Sequence, residues 1–176
     1  DQMARMVQGI MIRTFAHEIV EQLSEYATIP VINGLTDYSH PCQAMADYLT
    51  VWEMKGKLEG LKLAFVGDGN NVAHSLMFAG AQLGVHVAIA TPEGYEPKAE
   101  AVKWARHRAK ETGASCTITN DPVEAVAGAD VVYTDVWASM GLESETEKRA
   151  KVFRPFQVNA QLFRKAKRDA MFLHCL

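Results

Sequence analysis

Hydrophobic and polar positions along this chain fall into blocks of two kinds. Short apolar runs lie at residues 7–12, 30–34, 62–66, 85–90, 115–119, 131–134 and 170–173. Their length and near-continuous apolar character predict strands, several of them buried on both faces. Between the runs, apolar residues recur every three or four positions. Ile19, Val20, Leu23 and Tyr26 do so within 17–27, and Met45, Leu49 and Trp52 within 41–55. Val72, Leu76, Ala79 and Leu83 share a helical face, with Gly84 as the stop. Residues 98–112 form a further amphipathic stretch ended by Gly113, and Asp121-Pro122 opens a short helix to Ala127. Residues 159–167 read as the last helix, and the charge run at 143–151 as a mobile, solvated loop. Strands alternating with helices predict the α/β class: a doubly wound, mostly parallel sheet with helices on both faces.

Composition narrows the class without naming a chemistry. The 176 residues suffice for one domain with its own core, or for one domain and a fragment of another. Eighteen basic against twenty-one acidic residues give −3 with no basic stripe, which argues against nucleic acid and anionic membranes as partners. No apolar run approaches membrane-spanning length, and the first residues lack the apolar core of a signal peptide. The chain does not start with Met and ends on a central-type strand with no closing helix, so it reads as a section of a longer protein. Cys42, Cys116 and Cys175 lie far apart without metal-ligand spacing, which points to a reduced, cytoplasmic protein.

Candidate chemistry gathers where strands end, because ligands of open α/β sheets bind outside the carboxyl ends of the strands. Asp135-Val136-Trp137-Ala138-Ser139-Met140-Gly141 follows the run 131–134. An acid and a small-residue loop there suit a ligand, and equally an ordinary loop with Asp135 as a helix cap. His40-Pro41-Cys42-Gln43 opens the helix 41–55, with proline at the first helical position. His40 then sits at the cap, and Gln43 is placed to reach back to it. The functional alternative is an imidazole and an amide at a helix start suited to anions. Gly67-Asp68-Gly69-Asn70-Asn71 is a glycine turn between strand and helix, but Val72 stands where a dinucleotide fingerprint needs its third glycine. Arg13 ends the first run and, alone, reads as a surface charge. Cys175 and Met140 read equally as small core fillers, His174 as packing, and His17, His74, His86 and His107 as structural or surface residues.

Taken together and in order, these stretches resemble the aspartate/ornithine carbamoyltransferase family, and its ornithine branch in particular. His40-Pro41-Cys42-Gln43 looks like the carbamoyl phosphate motif. Asp135 with Ser139-Met140-Gly141 resembles the ornithine-branch signature, and His174-Cys175-Leu176 the start of its His-Cys-Leu-Pro element. The Gly67–Asn71 turn fits the amino-acid-binding turn, and Ile12-Arg13-Thr14 the arginine on the carbonyl side. The upstream Ser-Thr-Arg-Thr phosphate loop and the distal arginine of the family have no counterpart here. The resemblance implies that 1–39 is the end of a carbamoyl phosphate domain, 40–55 a linking helix and 56–176 a Rossmann-like ornithine-binding domain.

The implied reaction carries the carbamoyl group of carbamoyl phosphate to the side-chain amine of L-ornithine, giving L-citrulline and phosphate. It needs no metal and no organic cofactor, only positive charge and hydrogen bonds on a developing oxyanion. The resemblance gives Arg13, His40, Asp135 and Cys175 catalytic roles. It gives carbamoyl phosphate to Arg13, His40, Gln43, Cys175 and Leu176, and ornithine to Asn71, Asp135, Ser139 and Met140. It also implies a homotrimer for the complete enzyme, and an isolated chain without appreciable turnover. Three other readings stand beside it: a nucleotide-binding domain, a non-catalytic binding or assembly fragment, and transfer to a different amine.

Overall fold

A computed structural model describes residues 2–138 and 143–175. Two parallel sheets are present. The smaller joins β1 (Ile10–Arg13) to β2 (Val31–Leu35), with Ile10 opposite Val31 and α1 (His17–Tyr26) between them in sequence. The larger holds β3 (Lys62–Val66), β4 (His86–Ala90), β5 (Cys116–Thr119), β6 (Val131–Thr134) and β7 (Met171–His174). Its spatial order is β5-β4-β3-β6-β7, every pair parallel. Helix α2 (Pro41–Lys55) joins the two sheets, and α3 (Asn71–Gln82), α4 (Ala99–Thr112) and α5 (Pro122–Val126) connect β3 to β4, β4 to β5 and β5 to β6. Between β6 and β7 lie α6 (Thr146–Phe153) and α7 (Ala160–Phe163).

The period of two along each strand divides the core. Leu63, Phe65, Val87, Ile89, Val131 and Tyr133 face α2, α3 and α4 in one apolar layer. The residues between them, Ala64, Val66, Ala88, Ala90 and Val132, face Ala125 and Val126 of α5 with Phe156 and Leu162. The sheet therefore carries helices on both faces, as the alternation predicts. Gly113 ends α4 at φ +74°, a left-handed conformation that glycine adopts without strain.

Chain order sets where a crevice can open. From β3 the chain moves outward to β4 and β5, then α5 returns it to β6 on the other side of β3. Connections leaving the carboxyl ends of β3 and β6 thus diverge, and that divergence is the switch point where such sheets bind ligands.

Four expectations need correction. Met45, Leu49 and Trp52 of α2 are 60%, 53% and 53% exposed, whereas Ala44, Tyr48 and Val51 are buried. The helix is turned so that Tyr48 reaches α3, its hydroxyl donating to the Leu76 carbonyl at 2.8 Å. Gly80 makes room for it, since a Cβ there would stand 2.5 Å from that hydroxyl. The charge run 143–151 is not a solvated loop: a 3-10 turn, Glu143–Glu145, leads into α6, whose inward residues are Arg149 and Phe153. The helical period was hidden because one of those inward residues is an arginine. Among the described residues the run 170–173 is an edge strand, not a central one, with alternating burial and an exposed Phe172. The final helix contracts to the single turn of α7, capped by Asn159 Oδ1, which accepts the Leu162 N–H at 3.0 Å.

Candidate active site

Asp135 follows β6 directly and is buried at the switch point. It caps no described helix. Its Oδ2 accepts from Asn70 Nδ2 at 2.7 Å, and its Oδ1 accepts from the Cys175 thiol at 3.0 Å and from the Val136 N–H at 2.7 Å. Asn70 is fixed because its Oδ1 caps α3, accepting from the Val72 and Ala73 N–H groups at 3.0 and 3.1 Å. Three neighbouring strands thus deliver Asn70, Asp135 and Cys175 to one edge. Burial, and then the bond to Asp135 and its charge, push the Cys175 thiol up to about 12. At neutral pH it is a hydrogen-bond donor, not a thiolate nucleophile.

Asn71 is placed differently from its neighbour. Its Nδ2 donates to the Thr36 carbonyl at 2.7 Å, so it ties α3 to the loop after β2 instead of meeting Asp135. Two further residues of α3 reinforce that tie. Ser75 Oγ accepts the His40 backbone N–H at 2.7 Å. His74, buried, bonds the Tyr38 carbonyl through Nδ1 at 2.8 Å and accepts the Lys98 N–H through Nε2 at 3.0 Å. Those two partners require Nδ1 to carry the proton, so the ring is neutral. Burial, then the charge of Lys98, lower its pKa accordingly.

On the other side of the crevice stands His40 at the start of α2. Its Nδ1 is buried with no hydrogen-bond partner. Burial, and after it the charge of Arg13 at the end of β1, lower the pKa of this imidazole. A neutral imidazole beside a guanidinium can place donors on an oxygen that gains charge. Gln43 does not reach back to the cap as its spacing predicts. Its Nε2 donates to Asp47 Oδ1 at 3.0 Å, one turn further along α2. Asp47 is buried, and its Oδ2 accepts from the Tyr133 hydroxyl of β6 at 2.8 Å. Tyr133 is fully buried, stacks on Phe65 with ring centroids 5.8 Å apart, and lies beside the Cys175 sulfur. Burial chiefly raises the Asp47 pKa, and the bonds from Tyr133 and Gln43 work against that rise.

A clamp reaches the turn after β3 from α6. Arg149, buried, donates from one terminal nitrogen to Asp68 Oδ2 at 2.6 Å and to the Trp137 carbonyl at 3.1 Å. Its Nε donates to Glu145 at 3.0 Å, and its guanidinium lies 5.1 Å from the Tyr95 ring centroid. It therefore fixes the start of the segment after Asp135 onto the turn after β3. Gly69 in that turn is explained by packing: a Cβ would stand 2.2 Å from the Pro97 nitrogen. The glycine accommodates this chain's own 96–97 backbone, which removes the motive for a dinucleotide reading.

Asn70, Asp47, Tyr133 and Arg149 were not legible as site residues. Asp47 carried one signal, an acid four residues after Gln43 on the same helical face. Ser139, Met140, Gly141 and Leu176 lie outside the described residues. Among the described residues no group of three or more His, Cys, Asp or Glu is arranged to hold a metal ion, and no helix is long and apolar enough to cross a membrane.

Comparison with known proteins matches this arrangement to one family. Residues 59–176 match the family model described as aspartate/ornithine carbamoyltransferase, Asp/Orn binding domain, and residues 1–53 match its carbamoyl-P binding domain. An ornithine carbamoyltransferase of Anoxybacillus flavithermus is 64% identical over 174 residues, 99% of this chain and 55% of that protein. The anabolic enzyme of Pyrococcus furiosus is 60% identical over the same shares. Among solved structures, Pyrococcus furiosus ornithine carbamoyltransferase superposes with a TM-score of 0.95 at 60% identity, covering 99% of this chain and 56% of that one. Ornithine transcarbamoylase of Giardia lamblia gives 0.89 at 31% identity, covering 99% and 59%. The chain spans about half the length of the curated relatives it matches. By sequence and by fold, it belongs to the aspartate/ornithine carbamoyltransferase family.

Proposed function

We propose that the protein carrying this sequence transfers the carbamoyl group of carbamoyl phosphate to the side-chain amine of L-ornithine, yielding L-citrulline and phosphate. The observation that carries the reading is the carboxylate of Asp135, held at the switch point by Asn70 and Cys175 and faced by the neutral imidazole of His40. In this reading the amine nitrogen bonds to the carbamoyl carbon, and the carbonyl oxygen takes up negative charge beside Arg13 and His40. The carbon–oxygen bond to phosphate then breaks, and the attacking nitrogen, which keeps one N–H in citrulline, has released its other protons to solvent or phosphate. Gln43 accepts the carbamoyl NH2, with Cys175 and Leu176 alongside. Asn71, Ser139 and Met140 hold the amino-acid end of ornithine. No cofactor takes part.

The difficult step is preparing the amine. An amine of lysine type has a pKa near 10.4, so freeing its lone pair at pH 7 costs roughly 4–5 kcal/mol. A carboxylate favours the ammonium form, so Asp135 recognises and aims the amine. Loss of water and the charge of Arg13 act in the opposite direction. The division into 1–39, 40–55 and 56–176, a homotrimeric assembly and a cytoplasmic location belong to the same proposal.

The test is citrulline formation by the purified full-length protein from carbamoyl phosphate, with ornithine compared against aspartate and other amines. Citrulline formed with ornithine, and little product with the others, is the expected result. Equal or faster carbamoylation of another amine would overturn the choice of acceptor, and no carbamoylation of any amine would overturn the activity.

A further inference from the structure

We propose that Asp47 is a positioning residue: it fixes the Gln43 amide with its carbonyl oxygen outward, so that the site takes an acyl phosphate bearing an NH2 group and rejects the methyl analogue. The inference rests on the carbamoyl-transfer reading and adds to it the source of donor-substrate selectivity.

A glutamine amide has two ends of nearly equal shape and opposite hydrogen-bonding character. Left alone, it can present either its NH2 or its oxygen to a ligand. An ionised carboxylate only accepts, so it can pair only with the NH2 end. Gln43 Nε2 lies 3.0 Å from Asp47 Oδ1, which turns Oε1 away from Asp47. An outward oxygen accepts from the N–H of a carbamoyl group and gains nothing from an acetyl methyl group. The spacing suits the task, because His40, Gln43 and Asp47 follow one another along one face of α2.

Asp47 is itself held from the sheet. The Tyr133 hydroxyl donates to Oδ2 at 2.8 Å, and Tyr133 is anchored in β6 by complete burial and by stacking on Phe65. Two donors on two oxygens are consistent with the ionised acid. The other titratable groups around it are His40, Tyr48 and Cys175. Burial raises the Asp47 pKa, so on acidification this carboxyl takes up a proton earlier than an exposed one. A protonated Asp47 can donate to Gln43 Oε1 and no longer enforces one orientation. Selectivity therefore declines as pH falls, beginning above the usual carboxylate range.

Two variants separate orientation from simple packing. In Asp47→Asn, the Tyr133 hydroxyl can donate to the new amide's oxygen or accept from its NH2, so the new side chain meets Gln43 with either end. Gln43 is then free to offer either its oxygen or its NH2 to the ligand. Tyr133→Phe leaves the carboxylate in place and should keep the ratio of the two affinities near that of the wild type.

The experiment measures binding of carbamoyl phosphate and of acetyl phosphate to the full-length protein by calorimetry, with the side-chain amide signals of Gln43 followed by NMR. Asp47→Asn should lower the carbamoyl-to-acetyl affinity ratio by about tenfold, the worth of one hydrogen bond. It should also abolish the pH-dependent shift of the Gln43 NH2 signals. Packing damage alone would weaken both phosphates alike, and an unchanged ratio in Asp47→Asn overturns the proposal while leaving carbamoyl transfer standing. Failure of the wild-type protein to bind either phosphate would sink the carbamoyl-transfer reading, and this inference with it.

Discussion

Asn70 stands where two requirements meet, and its replacement tests both. Its Oδ1 accepts two N–H groups at the start of α3, and its Nδ2 donates to the buried carboxylate of Asp135. Removing a helix cap costs about 1 kcal/mol. Removing a donor from a charged, buried acceptor costs about 1.5–3 kcal/mol. Asn70→Ala should therefore lose roughly 2.5–4 kcal/mol of folding stability at neutral pH. Asn70→Ser keeps the cap and should lose only the second part. Asn70→Asp also keeps the cap but sets a second carboxylate against Asp135. Both acids then hold their protons more tightly folded than unfolded, so the folded protein binds more protons. Stability of that variant should fall as pH rises through the carboxylate range and return on acidification. Urea titrations read by tryptophan fluorescence supply the midpoints and slopes. If Asn70→Ser is as stable as wild type, the bond to Asp135 contributes nothing and the account of the site is wrong.

Three further outcomes are expected. Arg149→Met orphans the half-buried Asp68 and should cost on the order of 3 kcal/mol, with the deficit shrinking at low pH as Asp68 takes up a proton; thermal melts across pH would contradict this if the deficit stayed constant. Peptide-resolved alkylation at pH 8 should label exposed Cys42 well before Cys116, whose thiol burial pushes up to about 11, and before Cys175 at about 12; equal rates would refute the hydrogen-bonded thiol. Asp135→Ala should weaken ornithine binding by about 1.5–3 kcal/mol in calorimetry, and unchanged affinity would remove Asp135 from the amine's surroundings.

What could be read in the sequence was what repeats locally. The strand runs, the glycine stops and the acid following a buried strand carry their own signatures, so the α/β class and the edge bearing Asp135 and Cys175 were legible. The facing of α2 was not. Met45, Leu49 and Trp52 form as good a stripe as Ala44, Tyr48 and Val51, and only the fit of Tyr48 over Gly80 decides between them. Arg149 was hidden because it is buried by pairing with Asp68 and Glu145, partners that lie 81 and four residues away. Asn70 and Asn71 are adjacent and alike, yet one faces Asp135 and the other Thr36. That choice depends on rotation about the start of α3, and no one-dimensional pattern records it.

Helix α3 bears on how accurately the two half-sites can be spaced. Asn70 at its cap holds Asp135, while Ser75 within it holds the backbone of His40. Five residues separate those attachments, a rise of about 7.5 Å along a helix. The interval between the Asp135 carboxylate and the His40 backbone is thus measured off along a single rigid rod. Linked loops would add their thermal displacements together, whereas a rod transmits one displacement to both ends. Were one sheet to swing relative to the other, α3 would be a natural fulcrum, and groups attached close to a fulcrum travel least.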